Sequence, residues 1–514
     1  MKAPAVEIAT GKIRGAADKG IYSFKGIHYG GPTDGENRFM PPTPPAPWTG
    51  TRDATRYGQA CWQPADVTPM AYYLLGGVGI GEMGEDCLVL NVWTPGLNDG
   101  AKRPVMVWLH GGGFFVGSGD HIPYYDGASL ARTGDVVVVS VNHRLGVFGY
   151  LYLDELCGEK YAGSGNTGML DLVQALKWVR DNISVFGGDP GSVTIFGESG
   201  GGAKVSTLQA MPAAKGLFHR AISESGPGAR ARAASEEATR TTREFLAAFG
   251  LKPEQAGALH KMRADMIYSA WMALKPTAGM PMGHFAPVVD GKALPQHPFY
   301  PVAAPTAANI PLMIGTNKDE MTFMLMKDPQ FGKYTEATLK ENLIQRTRDN
   351  TGFKVPVEKI DGLIAAYKRT RPNATPTEIL VAITSDRMRM GAIRVAERKA
   401  AGGPAPVYMY LFTWESPFMG GVLKSCHTLE MPFVFNNVEP TIGILGNSPE
   451  RLKLAAAMSG AWLAFARSGN PNHKGLPQWP TYDKEKRATM IFNTECKVEN
   501  DPRAEERKAW DDIG

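Results

Sequence analysis

The chain has 514 residues, 43% hydrophobic and 21% charged, with a formal net charge of +4. That length holds a large core, and the composition is that of a globular chain, not a fibrous or disordered one. Lysine and arginine form no block, no apolar run reaches membrane-spanning length, and the five cysteines lack metal-ligand spacing, so no nucleic acid, membrane span or metal is expected.

Met1-Lys2-Ala3-Pro4 has no apolar signal core and leads at once into folded-looking sequence. Ala5 to Arg14 and Gly20 to Tyr29 read as two strands of an N-terminal hairpin turning near Lys19-Gly20. Pro41-Pro42-Thr43-Pro44-Pro45 permits neither helix nor central strand and makes a stiff connector. Cys61 and Cys87 bracket a segment with Tyr72, Tyr73 and Leu74 at its middle; spacing alone fits a disulfide and two buried thiols equally. Leu88 to Trp93 and Pro104 to Leu109 are strands, the second ending in His110-Gly111-Gly112-Gly113-Phe114, a turn whose backbone N–H groups can come close to a ligand. Val136 to Asn142 is an unbroken apolar run, the mark of a parallel strand buried on both faces. Leu172, Leu176, Val179 and Ile183 give Met169 to Phe186 helical spacing, and the next strand, Val193 to Phe196, completes a βαβ order.

That strand runs into Gly197-Glu198-Ser199-Gly200-Gly201, a G-x-S-x-G pattern between strand and helix. Such a sharp turn strains the serine backbone, crowds out side chains at the flanking glycines, and aims the start of a helix at the serine oxygen. It reads as a nucleophile elbow.

Several ordered segments now point one way: Phe24-Lys25-Gly26-Ile27, Glu85 to Val92, His110 to Phe114, Asn166-Thr167-Gly168, Phe186-Gly187-Gly188-Asp189-Pro190, Gly197 to Gly202, Gly469-Asn470-Pro471 and Trp479-Pro480. Together they resemble the type-B carboxylesterase family, which includes the cholinesterases and the bacterial p-nitrobenzyl esterases. The resemblance implies an α/β-hydrolase fold with a large, mostly parallel central sheet flanked by helices, helical insertions forming pocket walls, and Ser199 as nucleophile. It covers residues 1–514 as one domain, and helical spacing marks helix-rich regions near 229–400 and 450–470. Ser235 to Phe249, Ala264 to Leu274, Val357 to Tyr367, Glu378 to Ala400 and Arg451 to Ala466 have the spacing of amphipathic helices.

A serine hydroxyl needs a base oriented by a carboxylate, and in this fold the order is serine, acid, histidine. Of the histidines after Ser199, namely His219, His260, His284, His297, His427 and His473, only His427 lies in a segment resembling the family's catalytic histidine. The acid should follow the strand Ile310 to Asn317; by resemblance it is Glu320, with Asp319 the neighbouring rival. The oxyanion hole is expected from the N–H groups of Gly112, Gly113 and Gly200, with Glu198 and Ser225 in support.

The resemblance further implies a Cys61–Cys87 disulfide and an internal Arg38–Glu85 ion pair. The disulfide favours a secreted or periplasmic setting; without it a cytoplasmic one is expected. His28 and Leu172 stand where the family usually has proline and glutamine. The loop between Cys61 and Cys87 offers Trp62, Tyr72 and Tyr73 but no clear aromatic cation site of the cholinesterase kind. Met321, Phe323, Met324, Leu325 and Met326 suit either an adaptable pocket wall or core packing. The implied activity is hydrolysis of a small-molecule carboxylic ester through an acyl-enzyme, without metal or cofactor, by a monomer or homodimer. An amidase or carbamate hydrolase with the same triad, or a non-catalytic cholinesterase-like binding protein, is the alternative.

Overall fold

The computed structural model describes residues 3–64, 79–120, 122–226, 233–274, 285–348, 355–511 and 513. Apolar residues alternate between two buried faces along its central strands: Val105, Val107 and Leu109 pack into one cluster, Met106 and Trp108 into the other. A strand of this kind is stable only with a layer on each face, so the sheet organises the whole core.

The sheet has eleven strands, named here β1 (Ala16–Asp18), β2 (Ile21–His28), β3 (Val89–Thr94), β4 (Arg103–Leu109), β5 (Val137–Val141), β6 (Gly188–Glu198), β7 (Arg220–Glu224), β8 (Leu312–Asn317), β9 (Val407–Phe412), β10 (Ala488–Phe492) and β11 (Lys497–Asn500). Their spatial order is β1-β2-β3-β5-β4-β6-β7-β8-β9-β10-β11. Pairing is parallel from β5 through β10 and antiparallel at both margins. This is the large, mostly parallel sheet flanked by helices that the sequence implied. β5 is buried on both faces as expected, yet it pairs parallel with β4 and antiparallel with β3.

Several helices pack directly on the central strands. α1 (Thr167–Asn182) buries Met169, Leu172, Val173, Leu176 and Val179, and α2 (Gly200–Leu208) starts immediately after the elbow and is buried throughout. Farther on, α3 (Pro376–Ala401) opens with a capping box between Thr375 and Glu378 and proline in its first turn. α4 (Glu450–Ser468) ends at Gly469, whose φ of 76° lets its N–H reach the Phe465 carbonyl at 2.7 Å. Helices Ser235–Ala247, Ala264–Ala273 and Ile360–Thr370 also lie where their spacing placed them. No helix among the described residues is long and apolar enough to cross a membrane.

Two expectations need correction. The N-terminal hairpin is two hairpins: Ala5–Ile8 pairs with Gly11–Arg14, and β1 pairs with β2 through the turn at Lys19-Gly20. Gly15 separates them because the chain there presses on its neighbour; a Cβ would lie 2.4 Å from the Ser23 carbonyl. Nor does the structure carry the Cys61–Cys87 disulfide. Both residues are buried free thiols. The Leu145 N–H donates to Cys61 Sγ at 3.2 Å, and the two thiols are hydrogen-bond neighbours, which with burial raises that of Cys87. The case for an oxidising compartment that rested on this bond falls with it. Tyr72 and Tyr73 lie outside the described residues.

The expected Arg38–Glu85 pair is present and bidentate, at 2.6 and 2.7 Å, and Arg38 also donates to the Leu259 and Met262 carbonyls. A second buried pair ties the turn after β5 to α1: Arg144 reaches both Asp171 oxygens at 2.6 and 2.9 Å, with side chains 1% and 0% exposed. Removing one partner strands the other charge in the core, which costs about 3–5 kcal/mol. Arg144→Met is therefore expected to lower the urea midpoint strongly, and a midpoint equal to the parent's would contradict this role.

Candidate active site

Parallel strands end their carbonyl-terminal edges on one side, and the loops that leave them converge there. β4 ends at Leu109 and enters the glycine loop. β6 ends at Glu198 and delivers Ser199; β7 ends at Glu224 and delivers Ser225; β8 ends at Asn317 and leads to Glu320. Register makes them neighbours, Gly197 opposite Leu109 and Glu198 opposite Glu224. The histidine comes from the longer excursion after β9.

Ser199 has φ 55° and ψ −119°, a conformation that side-chain-bearing residues rarely adopt. Its N–H is held by the Glu224 carbonyl at 2.8 Å, and its own carbonyl accepts from Ala203 N–H at 3.0 Å. Backbone approaches so closely that side chains are excluded. A Cβ on Gly201 would sit 1.9 Å from the Leu109 carbonyl, one on Gly197 2.6 Å from the same oxygen, and one on Gly226 2.5 Å from the Ser199 carbonyl.

Gly200 begins α2, and a Cβ on it would stand 2.3 Å from the Gly113 nitrogen. Gly112 and Gly113 have φ of 85° and 66°. Gly113 thus meets Gly200 next to Ser199, with Gly112 one residue before it in the loop.

His427 Nδ1 lies 2.5 Å from Glu320 Oε2. The other Glu320 oxygen accepts from Ser225 Oγ at 2.6 Å and from Asn317 N–H at 2.8 Å. Each carboxylate oxygen thus has its own partner set, and only one is left to the imidazole. Glu320 and His427 are 0% and 7% exposed. Asp319 points elsewhere, accepting from the Ser425 N–H at 3.2 Å and pairing with Lys318, and it is buried, not solvated. On the far side of the ring, His427 Nε2 is 3.2 Å from Glu198 Oε1. The other described downstream histidines have structural partners: His260 meets Tyr161 and the Gly35 carbonyl, His473 the Ala457 carbonyl, His219 the Val193 N–H and His297 the Phe299 N–H. His284 lies outside the described residues.

Sequence reasoning missed two acids here. Glu224 accepts from Trp462 Nε1 at 3.1 Å, and Glu430 accepts from Asn317 Nδ2 at 2.5 Å. Both are fully buried. Glu430 follows His427 by three residues within a turn, where Thr428 has φ of 71°, so helical spacing gave no signal for it. Of Met321 to Met326, Leu325 is buried in the core, Met321, Phe323 and Met326 pack partly buried against it, and Met324 is 46% exposed. Among the described residues no His, Cys, Asp and Glu group has the arrangement to hold a metal ion.

Burial dominates the electrostatics. It pushes Glu198 and Glu224 well above the usual carboxylate range, aided in both by Glu430, with His427 opposing the rise at Glu198. Burial and Glu320 lift Glu430 to about 7. Burial alone would push His427 down, but Glu198 and then Glu320 favour the imidazolium and carry it to about 10.

The chain matches the sequence profile of the carboxylesterase family over residues 2–510. It is 38% identical over 502 residues to the para-nitrobenzyl esterase of Bacillus subtilis (strain 168), covering 97% of this chain and 96% of the relative. It is 34% identical over 509 residues to the phenmedipham hydrolase of Pseudarthrobacter oxydans, covering 96% and 95%. Among solved structures, a carboxylesterase from Geobacillus stearothermophilus superposes with a TM-score of 0.84 at 40% identity, over 98% of this chain and 99% of that one.

The sign of the Glu198 effect on His427 is testable. Glu198→Gln removes the carboxylate that most favours the imidazolium, so the ring loses its proton at lower pH. The acid limb of the kcat/KM profile is expected to move to lower pH in the variant; a limb that stays or moves up contradicts the assignment.

Proposed function

The chain belongs to the carboxylesterase family and is a carboxylic ester hydrolase, and on that premise we propose that it acts through a Ser199-His427-Glu320 triad and an acyl-enzyme intermediate. The observation that carries this reading is the division of the Glu320 carboxylate: Ser225 and Asn317 hold one oxygen and leave the other for His427 Nδ1. A carboxylate so held fixes the ring's orientation, with the Nδ1 proton directed at Glu320 and Nε2 turned away from it to act as the base.

In the proposed sequence, Ser199 Oγ gives its proton to His427 Nε2 as it attacks the ester carbonyl carbon. The carbonyl π pair moves onto oxygen, where the N–H groups of Gly112, Gly113 and Gly200 receive the developing charge. Collapse of the tetrahedral species expels the alcohol oxygen, which takes the proton from His427. Water then gives a proton to the same nitrogen and attacks the acyl carbon. The second collapse frees the acid and returns the proton to Ser199. Glu320 stays ionised throughout and stabilises the imidazolium.

Two buried supports favour the same reading. Ser225 leaves β7 beside the elbow and fixes the acid, and Glu198 flanks the ring on its Nε2 side. Both are positioning groups in this account.

The test is hydrolysis of p-nitrophenyl esters from acetate to palmitate by the parent and by Ser199→Ala. The expected result is turnover in the parent, with its acyl-length optimum measuring pocket depth, and a loss of about five orders of magnitude in the variant. A folded variant that keeps its turnover contradicts the nucleophile assignment. A parent that cleaves anilides or carbamates in preference to every ester moves the reading to an amidase or carbamate hydrolase.

A further inference from the structure

Lys204 lies on α2, five residues after the nucleophile, and its side chain is wholly buried. Its Nζ donates to the His110 carbonyl at 2.8 Å and sits 5.8 Å from the centre of the Phe114 ring. Among the described residues no carboxylate pairs with it. A buried ammonium with a carbonyl acceptor and no counter-ion destabilises a fold, and burial pushes this one down to about 7. An apolar side chain of the same length would fill that space at no such cost. Stability therefore does not account for Lys204.

Its acceptor suggests what does. His110 is the first residue of the loop that carries Gly112 and Gly113, and these glycines, with positive φ, give the loop little stiffness of its own. The far side of the loop is tied by the Gly146 N–H, which donates to the Phe114 carbonyl at 2.8 Å. The near side is tied by Lys204. The same carbonyl already lies against the start of α2, 3.1 Å from where a Cβ on Gly201 would stand. The His110 ring is stacked on His143, centroids 4.9 Å apart and 15° from parallel, so the loop's entry is gripped by both side chain and backbone.

We propose that Lys204 is a positioning residue for the oxyanion loop. Its Nζ, carried on the helix that Ser199 caps, donates to the His110 carbonyl and so fixes the glycine N–H groups relative to the nucleophile. The proposal rests on the Ser199 mechanism above. Because nucleophile and loop are tied to one helix, the oxyanion donors keep their place when the carbonyl oxygen becomes charged, which is where such donors matter most.

The experiment is Lys204→Met, compared with the parent on p-nitrophenyl butyrate and on an alkyl trifluoromethyl ketone. The ketone carbon accepts Ser199 Oγ, its π pair moves to oxygen, and the hydroxyl proton goes to His427, giving a stable oxyanion adduct. The expected result is a kcat lower by about 10- to 100-fold with KM little changed. Affinity for the ketone is expected to fall by the same factor as kcat, with a melting temperature equal to or above the parent's. A kcat within about twofold of the parent's, or a loss of kcat with the ketone affinity unmoved, overturns the proposal. So does a variant that fails to fold, since Lys204 would then be a structural post. Failure of the triad reading is told apart by the Ser199→Ala control, which leaves this comparison untouched.

Discussion

The bond between Glu320 and His427 is the constraint on which the site depends. A carboxylate has room for several donors, and a buried one with a free oxygen would turn to whichever donor lay nearest. Here Ser225 Oγ and the Asn317 N–H occupy one oxygen, so the carboxylate plane is set before the imidazole arrives. The imidazole then meets a single oxygen at 2.5 Å. Those donors come from the ends of adjacent strands, β7 and β8, and the parallel sheet is what brings them together.

The opposite half of the site is governed by backbone approach. Gly197, Gly201 and Gly226 are present because neighbouring chain leaves no volume for a Cβ. Gly200 and Gly113 lie against each other for the same reason, which places donor N–H groups beside Ser199. The strain of Ser199 at φ 55° is held by bonds to both its N–H and its carbonyl. Glu198 and Glu430 are buried beside His427 and Glu320, and Glu224 is buried beside those two acids. Their mutual repulsion and burial favour protonated forms, so the charge that acts on His427 is limited by how many of them ionise together.

The half of the site carried by local motifs was legible in the sequence. The glycine turn at His110, the elbow at Ser199 and the strand before Glu320 each announce a backbone geometry through glycine placement or β-branched runs, and the structure places them at neighbouring strand ends. The choice between Asp319 and Glu320 was not legible from spacing, since both follow the strand; it is made by which carboxylate the Ser425 N–H and Lys318 draw away. Glu224, Trp462 and Lys204 were missed because their relevance comes from contacts between distant segments, such as the 238-residue separation of Glu224 and Trp462. Strands β7, β9 and β10 also passed unnoticed. The signal for β9 was present, since Gly402-Gly403-Pro404 and Ser416-Pro417 bracket the apolar run Val407 to Phe412. The Cys61–Cys87 bond was an inference from family likeness, and the packing around Cys61, where the Leu145 N–H uses the sulfur as acceptor, is what the sequence could not convey.

The most direct measurement is covalent trapping with diethyl p-nitrophenyl phosphate, followed by peptide mapping in a mass spectrometer. A serine activated by an oriented imidazole displaces p-nitrophenolate from phosphorus and keeps the diethylphosphoryl group. The account predicts a single modified residue, Ser199, with release of p-nitrophenolate matching the label, and a labelling rate that collapses in His427→Ala. A label on any other residue, or an undiminished rate without the histidine, would contradict it.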